Sequence, residues 1–208
     1  MILIYVRHGI AMERDEFARH CIEYGIEGDD EQRPLTAEGK RKTKRAAMGL
    51  ARALDSLLMA GASPSRALQI RPLILTSPLL RARQTASILN KTLEKTGIRG
   101  KSKLPLIAAS LSPNSDPQAF RDFLYAHLHS DRSHRVHSST VVIAVGHEPY
   151  LGRSVCWWMM GEAKARFPLK KGAATCLEIG AAMAPGEARL LWALPPWALR
   201  ALEKGSTR

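Results

Sequence analysis

Cysteine is scarce in this 208-residue sequence: Cys21, Cys156 and Cys176 are odd in number, widely spaced and form no C-x-x-C pair. That excludes a disulfide framework and a thiolate zinc site, and it predicts reduced thiols in a reducing compartment. No apolar run approaches the ~20 residues a membrane helix needs, so no membrane partner is expected. The first apolar run stops at Val6 and charge follows at once, which argues against a secretory leader and makes the cytoplasm the expected location. Linkers, repeats and low-complexity tracts are absent too, so one domain over 1–208 is expected. Aromatic residues are few, and none interleaves with the basic run Lys40, Arg41, Lys42, Lys44 and Arg45. Without stacking platforms that run reads as a solvated helix face, and nucleic acid is not the expected partner despite the basic balance.

Acidic side chains are outnumbered as well, 19 against 31 lysines and arginines, for a formal net charge of +12. They are also segregated. Residues 10–32 hold eight acids and two bases, a local charge of −6, which leaves +18 on the rest of the chain. A basic body with one acidic insertion suits an anionic substrate steered to a site, and equally a weak polyanion binder.

Three short apolar runs read as buried strands: residues 2–6, 73–76 and 140–145. Each ends in a sharp change of chemistry. The first runs into Arg7, His8 and Gly9, where the glycine is expected to let the backbone turn and a ligand approach. The second runs into Ser77 and Pro78, with Ser77 the expected helix cap, Pro78 in the first turn and Arg81 facing back over the strand end. Arg83, about 200° further round the helix, is expected to face elsewhere. The third runs into Gly146, His147, Glu148 and Pro149 and then a helix through Met160.

Between them, Thr36 is placed to cap a long helix whose Ala47, Leu50, Leu54 and Leu57 share a face, broken at 61–64. Residues 104–111 are apolar but irregular. Asp116 caps a further helix with Phe120, Phe123, Leu124 and Leu128 inward. Residues 174–179 and 188–194 supply two more strands, and the charged tail is expected to fray. The acidic stretch, with Gly25 and Gly28, reads as a loop closing over something, with a short helix around Phe17, Cys21, Ile22 and Tyr24. The expected fold is a three-layer α/β/α domain with a mostly parallel sheet and right-handed crossovers. Four histidines at 127, 129, 134 and 137 suggest a metal, but no cysteine or carboxylate has ligand spacing with them. A polar surface loop is the better reading, and no metal or cofactor is expected.

In an open α/β sheet, ligands bind at the carboxyl ends of the strands. Parallel neighbours would bring Arg7, His8, Arg81 and His147 to one crevice, a pocket for a tetrahedral dianion. With R-H-G at 7–9, R-P-L-T at 33–36, S-P-L-x-R-A-x-Q-T at 77–85 and G-H-x-P at 146–149, the sequence resembles the histidine phosphatase superfamily. Within it the resemblance is to the short phosphohistidine phosphatase branch, SixA-type, helped by a weaker match at 170–174. The resemblance implies a phosphoglycerate mutase-like fold and a covalent mechanism in which His8 attacks phosphorus. It also implies that Arg7, Arg81 and His147 neutralise the phosphoryl oxygens, with Gly9, Arg33 and Gly146 at the substrate. The implied partner is a phosphorylated protein or a small phosphate compound.

The departures matter equally. Many superfamily members carry a carboxylate after the third block to protonate an alkoxide, and residues 108–112 here have none. Asp116 is better used as a cap. Imidazole leaves without a strong acid, its conjugate acid having a pKa near 6.5, so cleavage of a P–N bond survives that loss. The acidic insertion is longer than the short branch has, and Glu23, Glu27 or Asp29 are its candidates to fold over the site and supply a proton. Other readings are a phosphatase for small phosphomonoesters or phosphoanhydrides, a mutase-like activity, and a non-catalytic phosphate- or polyanion-binding module. The intact His8 argues against the last.

Overall fold

The computed structural model describes residues 1–61, 71–98, 100, 102–129, 140–164 and 167–203. Its centre is one six-stranded sheet built from β1 (Ile2–Arg7), β2 (Leu73–Thr76), β3 (Leu106–Ile107), β4 (Val141–Gly146), β5 (Ala174–Glu178) and β6 (Arg189–Leu194). The order across the sheet is β3-β2-β4-β1-β5-β6. The first four are mutually parallel, and β5 and β6 form an antiparallel edge against β1. The helices are α1 (Arg14–Tyr24), α2 (Ala37–Gly61), α3 (Leu80–Lys95), α4 (Pro117–His129), α5 (Tyr150–Met160) and α6 (Pro196–Leu202).

Alternation along β1 sorts the molecule into layers. Leu3 and Tyr5 point into a core shared with Phe120 and Leu124 of α4 and Leu151, Val155 and Trp158 of α5. Ile4 and Val6 point the other way, among Ala47, Leu50 and Leu54 of α2, Ala82, Ala86 and Leu89 of α3, and Leu199 of α6. Burial on both faces explains why the strands read as continuous apolar runs. Deep in the first core the Trp158 indole donates to the Tyr5 hydroxyl at 2.9 Å.

Several local expectations meet their geometry. Thr36 Oγ1 accepts the Gly39 N–H at 2.9 Å, and Asp116 Oδ1 accepts the Gln118 N–H at 3.2 Å. Ser77 does not cap α3. Proline has no N–H and biases the residue before it toward extended backbone, so Ser77 and Pro78 stay outside a helix that begins at Leu80. The acidic stretch is more ordered than a loop: an eleven-residue helix, α1, and a 3-10 turn at Asp30–Gln32. The irregular 104–111 segment resolves into β3 and a second 3-10 turn at Ala109–Leu111. Sequence reading also missed α6, which lies along α2. Of the expected helix break at 61–64, Gly61 is the last residue of α2 and 62–64 fall outside the described residues, as do two of the four clustered histidines (His134 and His137) and the tail from Lys204. Of the other two histidines, His129 closes on the Tyr125 carbonyl at 2.8 Å and stacks on that ring.

Candidate active site

The parallel register makes the site. Arg7 pairs with Gly146, so the next residue on each strand, His8 and His147, leaves the sheet beside the other. Their ring centroids are 4.9 Å apart and tilted. Thr76 pairs with Val145, which delivers Ser77 to the same edge, and Arg81 follows within the first turn of α3. The β1–β5 pairing sets Ala174 against Val6 and brings the 170–173 turn to this end of the sheet. Gly172 donates to the carbonyls of both Arg7 and His8, at 3.1 Å each.

Each motif residue has a partner that explains it. His8 Nδ1 lies 2.7 Å from the Gly9 carbonyl, a bond only an N–H can make, so the proton sits on Nδ1 and Nε2 keeps its lone pair. Gly9 is locked in turn, its N–H donating to Thr85 Oγ1 at 3.0 Å, while Thr85 donates to the Arg81 carbonyl at 2.7 Å. Gln84 Oε1 accepts the Leu35 N–H at 2.7 Å and ties the second block to the third. His147 Nε2 is 2.9 Å from Ser77 Oγ. That oxygen also accepts the Leu79 N–H, and its own O–H can donate to Nε2 in the tautomer that carries the His147 proton on Nδ1.

On the side where Gly9 would carry a side chain, it is packed against protein. A Cβ there would stand 2.3 Å from Thr43 Oγ1, so the glycine lets α2 approach β1. Gly146 is likewise held between the Leu111 carbonyl and Leu151, and its own carbonyl accepts the His8 N–H.

The electrostatics are those of a dry, cationic pocket. Burial drives the His8 pKa down to about 3, with Arg81, Arg7 and Lys171 adding to the shift against the pull of the Gly9 carbonyl. Burial likewise takes His147 to about 2, helped by His8, Arg81 and Arg7. Both imidazoles are therefore neutral at physiological pH. Arg7 donates through Nη1 to the Leu169 carbonyl at 2.7 Å, and the Leu169 N–H is held by Glu148 Oε1 at 3.1 Å. Arg81 donates through Nη1 to the Asp30 carbonyl at 2.6 Å and through Nη2 to Asp30 Oδ2 at 2.9 Å. With those bonds made, Arg7 Nε, Arg81 Nε and His147 Nδ1 remain buried with no protein partner.

Asp30 is the residue sequence reasoning missed. Glu23, Glu27 and Asp29 are exposed, and Asp29 is engaged with the Glu31 N–H. It is Asp30 that reaches the site, where it also takes Arg33 Nε at 3.0 Å and Arg14 Nε at 3.2 Å. Only its place in a run of acids could have pointed to it, and a run does not say which member turns inward. Arg33 is buried but faces Asp30 and the Met12 carbonyl, and no bond joins it to either histidine. Arg83 is exposed and lines a separate cavity of about 500 Å³ between α1 and the start of α3, with Phe17, His20, Cys21 and Ile26. Among the described residues no group of His, Cys, Asp and Glu side chains is placed to hold a metal ion, and no helix is long and apolar enough to cross a membrane. All three cysteines are free and buried.

No protein-family model matches the chain. It is 33% identical over 187 residues, 88% of its own length and 87% of the other's, to an uncharacterized protein of Picosynechococcus sp.. In fold it is similar to the structure of the protein histidine phosphatase SixA complexed with tungstate, with a TM-score of 0.63 and 20% identity, over 96% of this chain and 99% of that one. It is also similar to a mycobacterial glucosyl-3-phosphoglycerate phosphatase in complex with VO3, with a TM-score of 0.58 and 13% identity, over 93% of this chain and 99% of that one.

Proposed function

We propose, from the premise that this chain belongs to one sequence family with the Picosynechococcus protein and has the fold of the histidine phosphatase superfamily, that it is a phosphatase working through a covalent intermediate on His8, with protein phosphohistidine as its substrate. One observation carries the reading. Three buried nitrogens, Arg7 Nε, Arg81 Nε and His147 Nδ1, lack a protein partner near an imidazole whose tautomer leaves Nε2 unprotonated. An unpaired buried polar group costs about 1–3 kcal/mol, and a phosphoryl oxyanion bound beside His8 would offer the acceptors that the two arginines lack.

The reaction then runs in two displacements. The His8 Nε2 lone pair forms a bond to phosphorus while the P–N bond to the substrate imidazole, protonated on its other ring nitrogen, breaks, the electron pair leaving with the nitrogen of a neutral imidazole. Water displaces His8 in the second step, losing a proton and releasing inorganic phosphate. The arginines and His147 are fixed before reaction, so they stabilise charge on the phosphoryl oxygens without reorganising. The preference for P–N cleavage follows from the acids at hand. Residues 108–112 hold no carboxylate, and Asp116 is exposed and capping α4. Burial pushes the Asp30 carboxyl up, but Arg81, Arg33 and Arg14 outweigh it and hold it ionised. A neutral imidazole leaving group tolerates this, whereas an alkoxide does not.

The test is a substrate panel: a phosphohistidine-bearing protein against phosphoserine, phosphotyrosine and a sugar phosphate, with His8 assayed for acid-labile phosphate. Fastest turnover of phosphohistidine with label on His8 is the expected result. Faster turnover of the sugar phosphate would assign the small-molecule substrate instead. Binding without label would make the chain a non-catalytic module.

A further inference from the structure

Resting on that phosphatase reading, we infer that Asp30, a residue of the acidic insertion, is the positioning residue of the phosphate site, the group that sets Arg81 in register with the phosphoryl oxygens. Arginine has five N–H groups on a side chain with many rotamers, and a pocket gains from it only when the guanidinium is held. Asp30 takes one N–H from each terminal nitrogen, one through its backbone carbonyl and one through Oδ2. That fixes the plane of the group and leaves Nε–H, buried and unpartnered, together with one N–H on each terminal nitrogen.

Arg7 is treated the same way by different means: a backbone carbonyl, Leu169's, takes Nη1 and Nε is left buried and unpartnered. Two arginines from different elements thus share one arrangement, with a terminal nitrogen anchored to protein and Nε spare. A carboxylate beside an anion site also repels the anion. Here the repulsion is outweighed, because the other oxygen of Asp30 is shared by Arg33 and Arg14, so three positive charges surround one negative.

The opposite role, a carboxylate that occupies Arg81 and must leave before phosphate enters, makes predictions of opposite sign. The experiment compares parent, Asp30→Ala, Asp30→Asn and, as a control from the same segment, the exposed Glu27→Ala. It measures kcat and KM for p-nitrophenyl phosphate, the inhibition constant of orthophosphate, and thermal unfolding. If Asp30 positions Arg81, Asp30→Ala lowers kcat on the order of 10-fold to 100-fold, as loss of an orienting partner does elsewhere. Orthophosphate then binds more weakly, Asp30→Asn lies between Asp30→Ala and the parent, and Glu27→Ala matches the parent. Unchanged kcat, or a higher kcat with tighter orthophosphate binding in either variant, overturns the inference. Should Asp30→Ala not fold, Asp30→Asn decides by the same signs. A parent that neither turns over substrate nor binds orthophosphate sinks the phosphatase reading and this inference together. An active parent with indifferent Asp30 variants sinks the inference alone.

Discussion

At the scale of single residues, the Nδ1 proton of His8 is fixed on the adjacent carbonyl, and its neighbour His147 meets Ser77 through Nε2. His8→Ala should abolish turnover of p-nitrophenyl phosphate while leaving the thermal transition in place, and substantial residual activity would remove His8 as the nucleophile. Arg81→Ala deletes a charge-assisted donor and should lower kcat by on the order of 10²–10³. Arg83→Ala, two positions on and exposed, should leave kcat within about twofold, whereas equal losses in both would show that the helix face is misassigned. The two depressed histidines also make stability depend on pH. Unfolded, each titrates near 6.5; folded, near 3 and 2. Below pH 6.5 the unfolded chain therefore binds protons that the native protein does not, so the contribution present above 6.5 is lost as pH falls toward 3. The limiting slope is ~1.4 kcal/mol per pH unit for each histidine. Urea unfolding at pH 7, 6 and 5 should show the decline, and His147→Asn should flatten it.

At the scale of elements, the site depends on how closely α2 lies against its neighbours. A Cβ at Gly39 would stand 1.9 Å from the Ile10 carbonyl oxygen, and one at Gly49 would stand 1.7 Å from that of Leu199 in α6. Neither position needs a special backbone angle. Both need the absence of a side chain. Gly49→Ala therefore sets two effects against each other. Helix propensity favours alanine by about 1 kcal/mol. The contact is with backbone that cannot rotate away, and overpacking costs about 1–3 kcal/mol. The clash should win, and differential scanning calorimetry should show a lower Tm for the variant; a rise would mean that α6 is free to slide along α2.

At the scale of the whole molecule, the charge is divided between a basic body and an acidic insertion, and the insertion places its Asp30 on the phosphate-site arginine. Within the insertion the candidate acids divide: Asp30 is held ionised by arginines, and Glu23, Glu27 and Asp29 are at the surface. Rates for aryl phosphates should then fall steeply as leaving-group pKa rises, with an alkyl phosphate slower still. Neutralising Glu23, Glu27 and Asp29 together should leave that slope unchanged. A flat dependence in the parent that turns steep in the triple variant would place the general acid in the insertion and defeat the preference for P–N cleavage.

The sequence by itself determined β1, β2, β4, β5 and β6, the order of the chemistry and the four residues Arg7, His8, Arg81 and His147. Apolar runs buried on both faces are legible without a partner, and residues that abut a strand end are carried wherever that strand goes. Thus Arg7, His8, Arg81 and His147 could be read as neighbours once β1, β2 and β4 were taken as parallel. Tertiary structure alone decided what depends on distant backbone. Ser77 became the support of His147 and not a helix cap, because Pro78 keeps it out of α3. Gly9 and Gly146 serve close packing against Thr43, Leu111 and Leu151, contacts that no local pattern announces. Among eight acids in one stretch, only the 3-10 turn at Asp30–Gln32 chose which one faces Arg81. A run of like charges specifies solvation, whereas a single ion pair is specified by the backbone that aims it.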